Sequence, residues 1–390
     1  MTPIDVAVAG CGPAGMATAL LLTEQGHRVR IHERFVEPGP VGSGLMIQPT
    51  GLAVLERLGL AEEVKARGAP IRRLHGKSLP SGDTALEVRY DWLGTGDRCG
   101  YGIHRADLFD ILHRRVGAVG VTVEGDCAVR SVVRTGRRVC LAGNGWRSRE
   151  ADLIVDTMGA SSPLAGQPPR PLAYGALWAT LRAVPGFAAD MLEQRYRGAS
   201  RMCGVLPIGG GKVAFFWSLR QDRLEAWRAA GLKAWKGEVR ELWPETAPLL
   251  DQIDDPDQLT FARYAHRTLR DPVQSGVIHI GDAWHSTSPQ LGQGANMALL
   301  DAWALACGLA GHDALADGLA AAVALRRGHV RLYQGLSRLF TPAYQSDGVV
   351  LPVMRDLLVK PLSKLWTAKR LQAEMVAGTF GGPLKPLGLR

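Results

Sequence analysis

Asp282 and the glycines that follow it have the types and spacing needed to bind a polar, anionic ligand. The apolar residues 277–280 predict a short buried strand, which places Asp282 at the carboxyl end of that strand, where open α/β sheets bind their ligands. Gly292 and Gly294 allow the backbone to approach a ligand closely, and residues 296–306 predict an apolar helix. A helix start that presents free N–H groups favours negative charge, so this segment predicts an anion site.

A second glycine motif lies near the amino terminus, where Gly10, Gly12 and Gly15 have the spacing GxGxxG between a predicted strand and a predicted helix. The first glycine permits a tight turn, the second lets a pyrophosphate touch the backbone, and the third lets helix and strand pack closely. Glu33 ends the next predicted strand (28–32), about 20 residues further on, where a carboxylate receives ribose hydroxyls. The motif therefore predicts a dinucleotide site.

Residues 281–302, GDAWHSTSPQLGQGANMALLDA, resemble the GD motif of flavoprotein monooxygenases of the para-hydroxybenzoate hydroxylase type, class A. The resemblance implies that Asp282 binds a ribityl hydroxyl of FAD and that Pro289 lies beside the isoalloxazine. It also implies that the following loop donates backbone N–H groups to the N1/C2 edge of the flavin. Trp284 departs from the family, in which a small residue is commoner.

The resemblance covers nearly the whole chain and implies a larger set of site residues. Pro289 is the position that the resemblance places beside the flavin, and His285 is taken with it as catalytic. The sequence itself does not identify a base, and His104, His266 and Tyr264 stay open as alternatives. The loop residues Gly42, Ser43 and Gly44 are expected near the flavin, and Arg105 begins a predicted helix that reaches the FAD side of the site. The implied FAD contacts are Gly10, Gly12, Pro13, Ala14, Gly15, Glu33, Arg34, Gly44, Arg105, Asp282, Pro289, Gly292, Gly294, Ala295 and Asn296.

The reaction implied by the resemblance begins with reduction of FAD by NADPH or NADH. The reduced flavin reacts with O2 to give a C4a-hydroperoxyflavin, which hydroxylates or epoxidises an electron-rich aromatic or polyene molecule. Two alternatives stay open at this point. A halogenase of the same fold would be expected to carry a WxWxIP motif, which the sequence lacks, and a non-catalytic binding module would be expected to lose Gly292 and Gly294, which are present.

The segment TMGASSPLA departs from the family pattern of an Asp-Gly pair followed by Ser and Arg. Met158 and Gly159 stand at the pair, Ser162 is kept, and the Arg is absent. A thioether is neither charged nor a strong acceptor. Asp156 lies two residues earlier and could point to the same face, because side chains alternate along a strand. The sequence therefore predicts slow or substrate-gated reduction by NAD(P)H, with a separate flavin reductase left open as a partner.

The pattern of strands and helices predicts an α/β fold, a Rossmann-like FAD-binding domain with an inserted β-sheet substrate domain and C-terminal helices. The expected bounds are 1–72, 98–170 and 270–340 for the first domain, 73–97 and 171–269 for the second, and 341–390 for the helices. In the second domain, the residues predicted to line a hydrophobic substrate pocket, with a place in the core as the alternative, are Met202, Leu206, Phe215 and Trp217.

Composition bounds the remaining function classes. The net charge is +9, yet the basic residues are scattered and no basic run carries interleaved aromatics, so nucleic acid is not expected as a partner. Six cysteines without CxxC spacing argue against a metal site and predict free thiols in a reducing, cytoplasmic compartment. No stretch is apolar enough to span a membrane, and a homodimer stays open. The basic amphipathic pattern after residue 350 is typical of a membrane-surface helix or, more often, of a helix packed on its own domain.

Overall fold

The computed structural model describes residues 1–39, 42–79, 81–94, 98–362 and 365–389. The β-strands of this part of the chain are β1 (Asp5–Ala9), β2 (Arg28–His32), β3 (Gly44–Ile47), β4 (Ala69–Ile71), β5 (Arg73–Ser78), β6 (Thr84–Arg89), β7 (Gly100–His104), β8 (Thr122–Glu124), β9 (Ser131–Thr135), β10 (Arg138–Gly143), β11 (Trp146–Arg147), β12 (Leu153–Asp156), β13 (Arg170–Pro171), β14 (Tyr174–Arg182), β15 (Met191–Arg197), β16 (Arg201–Pro207), β17 (Lys212–Arg220), β18 (Thr260–Ala262), β19 (Ala265–His266), β20 (Val273–Gln274) and β21 (Val277–His279). The α-helices are α1 (Pro13–Glu24), α2 (Pro49–Arg57), α3 (Ala61–Arg67), α4 (Arg105–Ala118), α5 (Leu224–Leu242), α6 (Ala247–Leu250), α7 (Asp282–His285), α8 (Gly294–Ala310), α9 (Leu315–Tyr344), α10 (Val350–Leu362) and α11 (Trp366–Ala377).

A six-stranded sheet positions both glycine motifs. Its strand order is β20-β21-β12-β1-β2-β8, and β21, β12, β1, β2 and β8 run parallel to their neighbours. Helices α1 and α8 are apolar on nearly all sides, since they are buried between this sheet and the helices outside it. Because parallel strands end at one edge, the turns after β1, β12 and β21 meet there. The predicted Rossmann-like fold is confirmed.

A seven-stranded sheet of order β18-β14-β17-β16-β15-β5-β6 forms the second layer. Its strands β14 and β17 pair antiparallel over nine residues each, and their apolar alternation lets one face pack on α5. The strands of this sheet fall within residues 73–89 and 174–262, which lie inside the segments assigned to the substrate domain. The exact domain bounds stay a prediction.

The four predicted pocket residues point to opposite faces of the seven-stranded sheet. Phe215 and Trp217 pack with Trp235 and the other apolar residues beneath α5, so they belong to the core. Met202 and Leu206 lie on the other face, in a cluster with Met46 of β3 and residues of α11. The prediction that Phe215 and Trp217 line the pocket does not fit this arrangement, because successive side chains of a strand face opposite sides.

The C-terminal region is helical and follows a long helix that begins before residue 341. Helix α9 spans Leu315–Tyr344 and includes Pro342 in its last turn. Helices α10 and α11 follow, and α11 packs against both the seven-stranded sheet and the segment that begins α2. Among the described residues, no helix is both long enough and apolar enough to cross a membrane.

Candidate active site

The turn after β1 has the geometry of a dinucleotide site. Gly10 has a φ of +106°, and its N–H donates to the carbonyl of His32 at 2.8 Å. A Cβ on Gly15 would lie 2.1 Å from the Gly10 carbonyl oxygen, so only glycine lets helix and strand come this close. A Cβ on Gly12, in contrast, would meet no described atom within 4 Å. The backbone at Gly12 and at Pro13, the first residue of α1, is therefore open to a pyrophosphate at a helix start.

Thr157 supports this turn and was not found from the sequence. Its hydroxyl donates to the carbonyls of Ala9 and Gly10 at 2.8 and 2.9 Å. Its Oγ1 would also lie 2.7 Å from a Cβ on Gly15, so the residue fills the space between the two strands and α1. No motif marks a residue of this kind, since its partners are backbone carbonyls that only the parallel pairing of β1 and β12 brings near.

Glu33 is held at the end of β2 with part of its carboxylate accessible. One oxygen accepts from the N–H of Cys11 at 2.8 Å, and the other accepts from the N–H of Phe35 at 3.3 Å. The carboxylate is thereby fixed against the glycine turn, as a ribose-binding residue requires. Ala14 is buried in α1, and Arg34 is exposed with its guanidinium 4.6 Å from the centre of the Phe35 ring.

Asp282 lies where β21 ends and α7 begins. Gly281 has a φ of +59° and its N–H donates to Asp301, which turns the chain so that the Asp282 side chain is exposed. Its carboxylate makes no hydrogen bond or ion pair with the residues that the structure describes. Desolvation by the surrounding protein raises the pKa of Asp282, while the charges of His285 and Arg105 oppose this rise. An exposed acceptor without a partner among the described residues, at the end of a sheet strand, fits a ligand hydroxyl.

The loop from Pro289 to Asn296 is held by its last side chain. Gly292 is left-handed with a φ of +62°, and α8 begins at Gly294, so the N–H groups of Gly294 and Ala295 stand at a helix start. The buried Asn296 amide accepts from the N–H of Gln48 at 2.8 Å and donates to the carbonyls of Met46 and Gly292. The Asn296 side chain therefore fixes the loop, and only its backbone N–H remains for a ligand.

Two glutamines, Gln48 outside the motif and Gln293 within it, complete this loop. The Gln48 Oε1 accepts from the Tyr90 hydroxyl, but its buried Nε2 lacks a partner among the described residues and lies 3.6 Å from a Cβ placed on Gly292. An unpaired buried donor is costly, so Gln48 is suited to donate to a group bound at the loop. Gln293 donates to the carbonyl of Val376 at 2.6 Å, which ties the loop to the end of α11.

The segment 42–44 packs against the start of α4. Arg105 donates its backbone N–H to the Ser43 carbonyl at 2.8 Å, and its side chain passes over Gly42, whose φ is +100°. The Arg105 side chain is exposed and has no hydrogen-bond partner among the described residues. Gly44 packs against Ala214 and Ile208 of the substrate side, so its lack of a Cβ serves close contact between the two layers.

Aromatic residues lie on and beside the face of the seven-stranded sheet that carries Met202 and Leu206. The Trp178 ring lies 4.6 Å from that of Phe216, and its Nε1–H donates to the Tyr264 hydroxyl at 3.0 Å. Burial raises the pKa of Tyr264 to about 12, while Trp178 and the charge of Arg105 oppose the rise. The phenol is therefore protonated at neutral pH, and because its oxygen already accepts, its O–H is free to donate. Trp178 was missed from the sequence, since it lies in an unbroken run of apolar residues.

The three histidines considered as bases are engaged by protein groups. His104 accepts from the Ala106 N–H through Nδ1, so its Nε2 carries the proton and donates to Thr180 at 3.0 Å. His266 lies 3.2 Å from the Ser337 hydroxyl through Nε2, and burial lowers the pKa of both rings. His285 is buried, and its Nε2 lies 2.6 Å from Asp301. This placement argues against His285 as a base, and it supports a positioning role beneath Asp282.

A buried charge network lies under the turn formed by Gly281 and Asp282, the GD turn. Asp301 contacts His285 through one oxygen and accepts from the Nε of Arg326 at 2.7 Å through the other. Burial opposes ionisation of Asp301, but His285 and Arg326 hold its pKa at about 2. Arg326 also contacts His329, whose second nitrogen lies 3.1 Å from the Gly378 carbonyl. The network joins α7, α8, α9 and the chain after α11, and thereby fixes the position of Asp282.

We expect stability to fall as the pH drops below about 6.5 because of His329. Burial, together with the charge of Arg326, lowers the pKa of His329 to about 3. The unfolded histidine titrates near pH 6.5, so between about pH 6.5 and 3 the unfolded chain binds a proton that the folded chain does not bind. The free energy of unfolding therefore decreases as the pH falls through this range. Urea unfolding at a series of pH values should show this loss, and His329→Gln should reduce its slope. The exposed control His312→Gln should keep it; equal slopes for the two variants would contradict the prediction.

Asp156 cannot take the place that Met158 leaves. Its buried carboxylate accepts from the Met158 N–H at 3.0 Å and from the Ser162 hydroxyl at 2.5 Å, and lies 2.7 Å from His279 Nδ1. These three contacts direct the Asp156 carboxylate into the protein interior. The Met158 side chain packs beside an apolar cluster on the other side of the six-stranded sheet. The expectation that Asp156 substitutes for the missing carboxylate is therefore not supported.

This site and fold define a flavin-binding oxidoreductase, and comparison with known proteins places it more closely. The FAD binding domain family matches residues 3–152 and 177–328, so the chain belongs to this family. It is 29% identical over 321 residues to 3-amino-4-hydroxybenzoate 2-monooxygenase of Streptomyces cremeus, with 76% of each chain covered. It is 30% identical over 351 residues to 6-methylpretetramide 4-monooxygenase of Streptomyces rimosus, covering 81% of this chain and 76% of the relative.

The fold is shared with solved structures of hydroxylases. HpxO of Klebsiella pneumoniae, solved with FAD and uric acid, superposes with a TM-score of 0.80 at 19% identity over 96% of this chain and 97% of that chain. Together with the family match and the relatives, the predicted class is confirmed: the protein is an FAD-dependent monooxygenase of the para-hydroxybenzoate hydroxylase type, a family in which NAD(P)H is the typical reductant. The halogenase and binding-module alternatives are set aside.

Replacement of Asp282 by Ala should weaken FAD binding. The carboxylate is the exposed acceptor at the end of β21, and loss of one hydrogen bond from a charged group costs about 1.5 to 3 kcal/mol, roughly ten- to hundredfold in affinity. Flavin fluorescence on titration of apoprotein with FAD measures the change. Asp313→Ala is the control, since this exposed carboxylate lies in a turn outside the site. Unchanged affinity in Asp282→Ala would contradict the assignment.

Proposed function

We propose that the protein hydroxylates a small aromatic molecule that carries a hydrogen-bonding substituent, bound between the flavin loop and the seven-stranded sheet. The observation that carries this proposal is the pair formed by Trp178 and Tyr264, which lies near enough to Arg105 for the charge of Arg105 to act on the Tyr264 phenol. Trp178 offers a ring face for an aromatic substrate, and the Tyr264 O–H is free to donate. The epoxidation of a polyene is the weaker alternative, since a polyene needs no such donor.

The names of the relatives support an aromatic substrate. One acts on 3-amino-4-hydroxybenzoate and another on 6-methylpretetramide. The HpxO structure contains uric acid, a planar heterocycle that also offers hydrogen-bonding groups. These molecules differ in size, so they support a substrate class and leave the individual substrate to experiment.

The residues of the chain hold FAD, orient the substrate and exclude water from the site. When FAD is bound, it supplies the activation of O2 and the transfer of one oxygen atom to the substrate. Gly12, Glu33 and Asp282 hold the cofactor along its length, and the N–H groups of Gly294 and Ala295 favour negative charge on the flavin edge nearest the helix start. Gln48 adds a side-chain donor at the same loop. Tyr264 orients the substrate through its O–H and does not act as a base, because burial keeps it protonated.

A substrate screen tests the proposal. Aromatic acids, phenols and hydroxylated heterocycles are incubated with the FAD-loaded enzyme, NADPH or NADH, and O2, and products are scored by mass for the gain of one oxygen. Tyr264→Phe should then raise KM for the active compound about tenfold, since one hydrogen bond is lost. Tyr174→Phe is the matched control, because the Tyr174 hydroxyl is already engaged by Asp347. Turnover only of polyenes, or equal KM values for both variants, would contradict the proposal.

We further propose that reduction of FAD by NAD(P)H is slow or gated by substrate. Met158 offers no strong acceptor and Asp156 is used internally, so the place of the family's carboxylate is taken by a thioether. Met158→Asp should increase the rate of anaerobic flavin reduction by NADPH at least about tenfold, measured by stopped flow. Fast, substrate-independent bleaching in the natural protein, unchanged in Asp156→Ala, would contradict the idea. Slow reduction would favour a separate flavin reductase as electron donor.

We also propose the compartment, the oligomeric state and the domain division of the enzyme. All six cysteines are free in the structure, which supports a reducing, cytoplasmic compartment. A homodimer is compatible with the fold and is tested by sedimentation of the FAD-loaded protein. The division into an FAD-binding domain, a substrate domain and a helical region follows the two large sheets, and limited proteolysis would test its bounds.

A further inference from the structure

Helix α10 presents its apolar stripe to solvent. Val350, Val353, Met354, Leu357 and Leu358 have the spacing i, i+3, i+4, i+7 and i+8, which a helix of a soluble protein normally turns to its core. Here these side chains are 49% to 69% exposed. All the exposed large apolar residues of the described chain, except Phe35, Val36 and Val119, lie between residues 339 and 371. The concentration of apolar surface in one patch indicates an interaction site.

The polar residues of α10 face inward instead. Arg355 is buried, with its guanidinium about midway between two rings, 4.9 Å from the centre of Tyr196 and 5.0 Å from that of Tyr344. It also donates to the carbonyls of Ala343 and Gly198. Asp356 accepts from the buried Ser78 hydroxyl at 2.6 Å. These contacts fix the rotation of the helix about its axis, so a turn that buried the apolar stripe would break the three hydrogen bonds that join α10 to Ser78, Ala343 and Gly198.

The apolar patch continues into the start of α11 and is flanked by positive charge. Leu365 and Trp366 are 55% and 58% exposed, and Leu371 is 40% exposed on the next turn. Arg370 is exposed beside them, and Lys369 lies with its ammonium 5.5 Å from the Trp92 ring. Apolar residues, an exposed tryptophan and basic residues together are typical of helices that lie in a lipid interface.

We propose that the outer face of α10 and the start of α11 dock on the surface of an anionic membrane. The stripe of α10 enters the boundary between headgroups and acyl chains, Trp366 lies at headgroup level, and Lys369 and Arg370 meet the lipid phosphates. A second copy of the chain is the less suitable occupant. An isologous contact places the same patch against itself and would add the positive charges of both copies to one interface.

Vesicle flotation of the FAD-loaded protein tests the proposal. The protein should float with vesicles of phosphatidylcholine and phosphatidylglycerol, and less with phosphatidylcholine alone, although Arg370 is also paired with Glu374 at 3.0 Å. Val353→Ser with Leu357→Ser should lower the partition coefficient at least about tenfold. Arg370→Gln should lower it about fivefold, and only on anionic vesicles. The matched control, Val36→Ser with Val119→Ser, removes two exposed apolar residues elsewhere and should leave binding unchanged.

The outcomes distinguish a membrane from a second copy of the chain as the partner of the apolar patch. Equal flotation of the two double variants would overturn the proposal. A dimer in sedimentation that Val353→Ser with Leu357→Ser converts to monomer, without flotation of the natural protein, would assign the patch to a second copy and would also overturn it. Because the readout is partition of the folded, yellow protein, the test does not depend on the identity of the substrate.

Discussion

The Gly15→Ala variant should be isolated without bound FAD. The added Cβ would lie 2.1 Å from the Gly10 carbonyl oxygen and 2.7 Å from the Thr157 hydroxyl, and neither can withdraw. Gly10 is fixed through its N–H to His32, and the Thr157 hydroxyl bridges two carbonyls. Helix α1 must therefore move from the strand and carry its first N–H groups away from the pyrophosphate. Overpacking of about 3 kcal/mol corresponds to roughly a hundredfold loss of affinity.

Absorbance of the purified protein and titration of apoprotein with FAD measure this loss. Gly117→Ala is the control, because it lies in α4 and its Cβ would meet no described atom within 4 Å. That variant should remain yellow and as stable as the natural protein or slightly more so. Retention of FAD by Gly15→Ala at the natural affinity would mean that α1 is packed differently from the structure described above.

Arg326→Leu should be the most destabilising single change in the C-terminal half. Arg326 is 1% exposed and is the cation paired with Asp301, so its removal leaves a buried carboxylate with only His285 as an ionic partner. Breaking a buried pair in this way costs about 3 to 5 kcal/mol. Urea unfolding at pH 7.5 measures the change, and the FAD affinity should fall with it because Gly281 donates to the same carboxylate.

Arg331→Leu supplies the comparison, since this arginine lies on the exposed side of the same helix. It should change the free energy of unfolding by less than about 0.5 kcal/mol. If the two variants lost equal stability, the ion pair beneath the GD turn would have no special weight, and its proposed positioning role for Asp282 would fail.

The sequence predicts the cofactor half of the site well because its requirements are local. The spacing of Gly10, Gly12 and Gly15 dictates a turn and a helix start within a few residues, and Asp282 directly follows its own strand. The structure shows each of these features. The fold class follows from the same logic, because alternating strands and helices leave few arrangements.

The direction in which a side chain points could not be predicted where it depends on elements distant in the sequence. His285 lies beside Asp282 in the sequence but points to Asp301, and that choice depends on the packing of α8 and α9. Phe215 and Leu206 both lie on apolar strands, and which face meets the cleft depends on where α5 is placed. The unpaired Gln48 donor becomes visible only when the loop 289–296 lies against it. The outward rotation of α10 follows from Arg355, whose ring partners are distant in sequence.

The tie between Gln293 and the Val376 carbonyl spans 83 positions of the chain. Thr50 and His329 reach the same short stretch, through the carbonyls of Ala377 and Gly378. On the ribosome the adenosine end of the cofactor site, around Gly10 and Glu33, is translated first, whereas the support behind the flavin loop emerges only after α11. The support behind the flavin loop is therefore complete only when residues up to Gly378 have been synthesised, long after the residues around Gly10 and Glu33.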